Sequence, residues 1–259
     1  MNETNILVVG ETCTDKFIYG DCKRLNPEAP TPVFVPTEEI TNLGMAGNTV
    51  ENLKWLGLTP QVISVHDDIV KTRYVENTSN YILLRVDDEP EIEPLTHDII
   101  YNIDFNTLDI IVISDYDKGL ISEDFLEYLF TMAKGHGVPT FMDTKKVIGS
   151  WAEDCDYIKI NEKEYNNPEH YDYLSGAFGN KVIVTLGHNG ATHKNVNYPV
   201  GRVDARDVVG AGDTFLAGLV YGYLLDNQIA DAIRLANILA SNVVTKKGVA
   251  LPDEKLFKL

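Results

Sequence analysis

The chain has 259 residues and sets 22 lysines and arginines against 39 aspartates and glutamates, a formal charge of −17. A hydrophobic share of 44% with 24% charged residues excludes wholesale disorder. The acidic balance excludes a general nucleic-acid or anionic-membrane binder, because phosphate affinity needs clustered cations. A small phosphorylated ligand stays open, since a few local cations and a metal suffice for it. The length suits one large α/β domain, or two small ones, with a substantial core. Three cysteines, Cys13, Cys22 and Cys155, occur without a CxxC. They imply neither a disulfide framework nor a thiolate metal site and fit a reducing compartment. The run Ile6 to Val9 is too short for a signal peptide and lacks a basic lead, and no stretch is long and apolar enough to span a bilayer. A soluble cytoplasmic α/β protein is expected.

Ile6 to Val9, closing in Gly10, predicts a buried parallel strand. Glu11 to Tyr19 then lies at the strand's carboxyl end, where α/β proteins place ligands. Thr31 to Pro36, bracketed by prolines, predicts an edge strand. Ala46 to Leu56 has a helical pattern, with Gly57 as its C-cap. Val62 to Val65 predicts a strand. Thr72 to Val75 and Tyr81 to Val86 predict two strands joined by a polar turn at Glu76 to Asn80. Ile110 to Ile113 is a buried strand leading into Ser114, Asp115, Tyr116, Asp117, Lys118 and Gly119. Glu123 to Lys134 is a helix ended by Gly135, His136 and Gly137. Three further apolar strands follow: Thr140 to Met142 enters Asp143, Tyr157 to Ile160 enters Asn161, and Val182 to Thr185 enters Leu186 and Gly187. Gly210, Ala211 and Gly212 open a helix from about Asp213 to Leu225, and a last helix runs from about Ala230 to Lys246, stopped by Gly248. This alternation calls for a mostly parallel sheet covered on both faces. The proline-flanked strand and the hairpin break that rhythm and read as a small β flap. One domain over 1–259 is expected, with flap segments at about 13–42 and 72–88.

The chemistry concentrates in Asp207 to Gly218. Glycines let backbone N–H groups approach an anion closely, and the helix that starts there adds its positive end. Together they form an anion hole suited to a transferring phosphoryl group. Asp213 stands at its mouth. A carboxylate there repels phosphate; its use is to take a proton from an attacking hydroxyl while the hole bears the developing charge. For a bare GxGD, a plain turn with Asp213 as a helix cap explains as much; the longer string is more specific.

Residues 207–220 resemble throughout the C-terminal signature of the ribokinase/phosphofructokinase-B family of sugar kinases. The resemblance covers nearly the whole chain and is strongest to the heptose 7-phosphate kinases, the kinase half of bifunctional ADP-heptose synthases. It is carried by Val8 to Gly10 with Asp15, Tyr19 and Gly20, Asn26 to Pro30 with Pro32 and Val33, Leu83 to Asp87, Ile113 to Gly119, Asn161 to Glu164, and Thr185 to Gly187. It implies a ribokinase-like three-layer sandwich with a β flap, somewhat trimmed, and ATP-dependent phosphorylation of a sugar or sugar phosphate, foremost the anomeric hydroxyl of a heptose 7-phosphate. It implies Asp213 as general base and Gly210, Ala211 and Gly212 as the anion hole. Asp15 and Asn48 would bind sugar hydroxyls, and Gly44 would let the backbone close over the sugar. Asn161 and Glu164 would organise Mg²⁺ through its waters. Thr185, Gly187 and Gly190 would lie along the nucleotide, with Asn237 near the adenine. Arg85 and Lys118 are candidate phosphate ligands, with Arg24 and Lys145 behind them. A monovalent cation and a homodimer through the flap belong to the same implication.

Plainer readings stand beside these roles. Asp15 would also serve as a loop-capping aspartate, Asn161 with Glu164 is also a helix capping box, and a surface lysine is more often merely solvated. Two departures from the family bear on function. Gly44-Met45 stands where relatives carry paired glycines at the sugar hinge. The chain also passes within about six residues from Val65 to the flap strand, where relatives place a helix and a strand, and the stretch from Tyr165 to Lys181 is compressed, with Pro168 opposing a long helix. A sheet edge left open for a partner is one consequence. No nucleotidyltransferase half is expected after the last helix. A kinase for fructose phosphate or ribose, and a non-catalytic binding protein on the same fold, remain as alternatives. A dinucleotide oxidoreductase is disfavoured because no GxGxxG follows the first strand.

Overall fold

A computed structural model describes residues 4–64, 69–170 and 177–258. The apolar run at the start forms β1 (Ile6–Gly10), every residue of it buried. Burial on both faces is what a central parallel strand requires. Around it an eight-stranded sheet runs in the order β12-β11-β10-β9-β8-β7-β1-β4. Its members are β4 (Gln61–Ile63), β7 (Ile110–Asp115), β8 (Thr140–Thr144), β9 (Tyr157–Asn161), β10 (Val182–Thr185), β11 (Ala191–His193) and β12 (Val196–Tyr198). The strands from β4 to β10 pair in parallel; β11 and β12 are antiparallel. The short β4 forms one edge, with Val62 exposed. Val65 lies outside the described residues, as do residues 171–176 of the compressed segment.

Helices cover both faces. On one side α3 (Glu123–His136) presents Phe125, Leu126, Leu129, Phe130 and Ala133 to Leu7, Val9, Ile111 and Ile113. Its start is capped by Ser122, which accepts from the N–H of Phe125, and its end by left-handed Gly137. The small α2 (His97–Tyr101) lies on the same side. On the other side lie α1 (Ala46–Trp55), α5 (Ala211–Asp226) and α6 (Ile229–Val243), packed on Ile6, Val8, Ile110 and Val112. The four-residue α4 (Glu162–Tyr165) follows β9. The face of α5 that carries Gly218 and Gly222 lies directly on Ala236 and Ala232 of α6. The result is a three-layer α/β sandwich.

A second sheet of four strands, in the order β3-β2-β5-β6, forms the flap. It contains β2 (Thr12–Asp21), β3 (Val35–Met45), β5 (Ile69–Glu76) and β6 (Ile82–Asp88). Two sequence readings are corrected here. Glu11 to Tyr19 is mainly strand, not ligand loop: burial alternates along β2, with Cys13, Asp15 and Phe17 turned inward. An aspartate at an inward position hid that period. The edge strand expected at Thr31 to Pro36 starts only at Val35 and runs to Met45. Pro30 and Pro32 lack the N–H groups a ladder needs, and Pro32 makes only an isolated bridge with Leu25. Pro36 is tolerated because β3 is an edge strand and pairs at a register shift beside Gly20.

β3 passes directly into α1 through Met45, whose backbone sits at φ 54°, ψ −135°. That region is close to glycine-only and costs a side chain about 1–3 kcal/mol. Met45 is nonetheless buried against Cys13 and Ile69. Met45→Ala keeps the strained backbone and loses the packing, whereas Met45→Gly loses the packing and the strain. The glycine variant is therefore expected to be more stable than the alanine variant by about 1–2 kcal/mol, the reverse of the usual order. Denaturant unfolding of the two variants checks this, and an alanine variant at least as stable would contradict it.

Candidate active site

Asp213 sits in the first turn of α5, 4% exposed. Gly210 precedes the helix in the left-handed conformation, φ 78°. A Cβ on Gly210 would come within 2.6 Å of Asn48 Nδ2. Asn48, in α1, donates from Nδ2 to Asp213 Oδ2 at 2.9 Å and to the Gly210 carbonyl at 3.3 Å. Its own Oδ1 accepts from Asn52 at 3.1 Å. The Tyr116 hydroxyl donates to Asp213 Oδ1 at 2.6 Å. Burial pushes the Asp213 carboxyl up to about 6, against the hydrogen bonds from Tyr116 and Asn48, which pull it down. A carboxylate poised there is matched to general-base work near neutral pH.

Beside the glycine turn stands Lys159 of β9, 3% exposed and paired with Asp143 at 2.6 Å. A Cβ on Gly212 would lie 3.0 Å from its ammonium. The turn thus has a fixed positive charge as well as a helix N-terminus. Asp143 Oδ1 is buried without a hydrogen bond, 3.6 Å from Lys145.

The residues expected along the nucleotide do share a space. Thr185, Gly187, Gly190, Asn237, Ala211 and Gly212 line a cavity of about 890 Å³. Asn237 is fixed by donating to the Tyr198 carbonyl at 2.8 Å. A second hollow of about 440 Å³ shares Thr185, Gly187 and Gly212 and adds Tyr116, Asp143, Lys145, Lys159 and Asn161. Asn161 and Glu164 form a reciprocal capping box at the start of α4, so the plainer reading of that pair holds as geometry. Glu164 also accepts from Lys145 at 2.6 Å.

The flap residues are held among themselves. Asp15 is buried in an ion pair with Arg73 of β5. Only glycine fits at position 44, because a Cβ there would lie 2.2 Å from Asp15 Oδ2. Arg85 is opposite Arg73 in the sheet and forks onto Asp87 at 2.7 and 2.9 Å. Lys118 pairs with Glu89 at 2.7 Å, and Lys71 approaches the same carboxylate at 3.6 Å. Arg24 lies away from strands, between β2 and β3.

Sequence reasoning assigned no role to Tyr116, Asp143, Lys159, Lys71, Arg73 or Glu11. Three of them carried a usable signal. Lys159 is a cation inside an apolar strand, and Lys71 with Arg73 fall on the same face of β5 as Ile69 and Val75. Glu11 is fully buried, which raises its pKa, and it accepts from the backbone N–H groups of Tyr116 and Lys118.

A glycine turn at a helix start, a buried carboxylate in its first turn and an adjoining cavity suit phosphoryl transfer chemically. The chain belongs to the pfkB family of carbohydrate kinases, ATP-dependent enzymes, whose family model matches residues 70–256. Among curated proteins it is similar to the bifunctional protein HldE of Nitratiruptor sp., 30% identical across 95% of this chain and 62% of that protein. The bifunctional protein HldE of Helicobacter pylori (strain G27) is also 30% identical, across 95% of this chain and 64% of that protein. The chain therefore spans about three-fifths of the length of these relatives. Among solved structures, Arabidopsis thaliana ribokinase complexed with ribose and ATP superposes with a TM-score of 0.67 at 18% identity, covering 97% of this chain and 96% of that one. Phosphofructokinase-2 from Escherichia coli in complex with potassium gives 0.68 at 16% identity, covering 98% and 96%. These two share the fold. No helix among the described residues is long and apolar enough to cross a membrane.

Proposed function

We propose that the chain is a single kinase domain that transfers the γ-phosphoryl group of ATP to the anomeric hydroxyl of a heptose 7-phosphate. The carrying observation is Asp213, buried at the glycine turn with its pKa raised to about 6. Asp213 takes the hydroxyl proton, the acceptor oxygen attacks in line, and the turn with Lys159 bears the charge that develops on the phosphoryl group. Thr185, Gly187, Gly190 and Asn237 hold the nucleotide. Asp15 and Asn48 orient the sugar, and Gly44 allows the flap to approach.

The preference for a phosphorylated acceptor is supported by the flap. In a chain of net charge −17 it gathers Lys71, Arg73 and Arg85, with Lys118 close by through Glu89. An incoming phosphate would compete with Asp87 for Arg85 and with Glu89 for Lys118. The motif resemblance and the HldE relatives support heptose in particular.

Magnesium fits Asn161 and Glu164 only through water. Both offer hard oxygens, and each Glu164 oxygen keeps acceptor capacity beyond its hydrogen bond to Lys145 or to the Asn161 N–H. When bound, Mg²⁺ would neutralise phosphate charge. The potassium complex of the E. coli neighbour supports a monovalent cation as well. Leu84 and Val86 share one face of exposed β6 and support a homodimer through the flap.

The test is kcat/KM with Mg·ATP for heptose 7-phosphate, fructose phosphates, ribose and fructose. Heptose 7-phosphate is expected to lead the sugars without a phosphate by about 10-fold or more, the scale of charge-assisted hydrogen bonds worth about 1.5–3 kcal/mol. A lead for ribose or fructose would overturn the sugar-phosphate reading, and a lead for a fructose phosphate would overturn heptose alone.

A further inference from the structure

Asp213 is buried and accepts a hydrogen bond on each oxygen. The Tyr116 hydroxyl occupies Oδ1 at 2.6 Å and Asn48 occupies Oδ2 at 2.9 Å. Each oxygen keeps a second lone pair, but Asp213 lines neither hollow while Tyr116 lines the second, so the tyrosine stands between the carboxylate and an arriving acceptor. The two partners are held differently. The Asn48 side chain is held by three bonds, to Asp213, to the Gly210 carbonyl and from Asn52 of its own helix. Tyr116 is tied by its backbone. Buried Glu11 accepts the N–H of Tyr116 at 2.8 Å and that of Lys118 at 3.0 Å, and Asp115 accepts that of Asp117 at 3.0 Å. Its ring packs on the Cys13, Met45 and Ile69 cluster, with Lys71 of the flap and Lys145 of the nucleotide side 6.0 and 5.8 Å from its centre. The loop is thus fixed through its backbone, while the hydroxyl is held by its bond to Asp213.

We propose that Tyr116 is a positioning residue whose hydroxyl holds the proton-accepting seat on Asp213 until the hydroxyl of the acceptor sugar replaces it. The proposal rests on the kinase reading and deepens it. One O–H donor is exchanged for another, so Asp213 keeps two hydrogen bonds throughout. Tyr116 stays protonated, because burial and the adjacent carboxylate hold its pKa well above the usual 10. In the transfer step the acceptor O–H bond breaks and its proton passes to Asp213. The acceptor oxygen bonds to the γ-phosphorus, and the bond to ADP breaks with its electron pair leaving on ADP. Before the sugar arrives, the tyrosine keeps that same oxygen from a water, and so suppresses hydrolysis of ATP.

The groups that face Asp213 are Tyr116, Asn48, Asp143, Lys159, Lys145 and Cys13. Only the Tyr116 bond changes in Tyr116→Phe. The acid limb of kcat/KM for the acceptor reports the base before the sugar binds, and the acid limb of kcat reports it afterwards. In Tyr116→Phe the first limb is expected to move up by about one pH unit, since a hydrogen bond that favours the carboxylate is lost. The second limb is expected to stay in place, and ATP hydrolysis without sugar is expected to rise. Both limbs moving together would mean that Tyr116 stays on Asp213 through turnover; neither moving would mean that it only packs. Either result overturns the exchange while leaving the kinase reading intact. No turnover with any acceptor would overturn both. If Tyr116→Phe fails to fold, a structure of the wild-type protein with the best acceptor of the panel and an unreactive ATP analogue decides. The acceptor hydroxyl is expected on Asp213 Oδ1, with the tyrosine oxygen beyond about 3.5 Å. An unchanged tyrosine contact would overturn the proposal.

Discussion

Asp213→Asn is expected to lower turnover by roughly 10²–10⁴-fold, the range general-base catalysis supplies, while ATP binding is retained. The amide has nearly the shape of the carboxylate but cannot accept a proton at this pH. The cavity proposed for the nucleotide is lined by other residues, among them Gly187, Gly190 and Asn237, so it should survive. A second effect runs the other way. The folded-state pKa of Asp213 is about 6, above the ordinary aspartate value of 3.8. Protonated Asp213 therefore favours the fold fully below its unfolded pKa, and that contribution is lost as pH rises through about 6. Two units correspond to about 3 kcal/mol. Asp213→Asn stays neutral and is expected to melt higher than wild type near about pH 7.5, with the gap closing toward about pH 4. The gain is reduced because Asn48 would then face an amide nitrogen or have to turn. Turnover within about threefold of wild type, measured as ADP release, would show that the proton goes elsewhere.

Gly210→Ala is expected to be nearly as damaging, through geometry alone. The position has φ 78°, which costs a non-glycine residue about 1–2 kcal/mol. The added Cβ would also stand 2.6 Å from Asn48 Nδ2. Asn48 is the group that fixes Asp213 Oδ2, so displacing it moves the carboxylate and the turn together. A misplacement of about 1 Å in such a constellation costs about 100-fold, and a loss of that order in kcat is expected. Circular dichroism should report an intact fold, because α5 from Thr214 onward is anchored by Phe215, Leu216, Leu219 and Val220 in the core. A kcat unchanged within about threefold would mean that the turn tolerates the shift and that the close contact is not functional.

Much of this site was legible in the chain because its parts are local. The turn from Gly210 to Gly212 and its aspartate are contiguous, as are the strands that read as unbroken apolar runs, such as β1 and β7. The flap hairpin was legible from its turn at Glu76 to Asn80. What stayed hidden depends on pairing across the chain. Asp15 looks like a loop aspartate until Arg73, 58 residues later, is paired with it. Tyr116 stood in a recognised string but had no role until the fold placed its hydroxyl on Asp213, 97 residues away. Asp143 and Lys159 meet because β8 and β9 are neighbours in the sheet. Met45 shows the opposite case. The sequence marked it as a departure from paired glycines, and the backbone there keeps a glycine-like conformation despite the side chain.

Asp213 and the glycine turn are proposed to pass a phosphoryl group from ATP to a sugar hydroxyl. The most direct test incubates wild type and Asp213→Asn side by side with Mg·ATP and heptose 7-phosphate, and measures ADP and the phosphorylated sugar together. One ADP for each bisphosphorylated heptose is expected in the wild type, and almost none of either in the variant. Sugar phosphorylation that continues in Asp213→Asn at the wild-type rate would contradict that role.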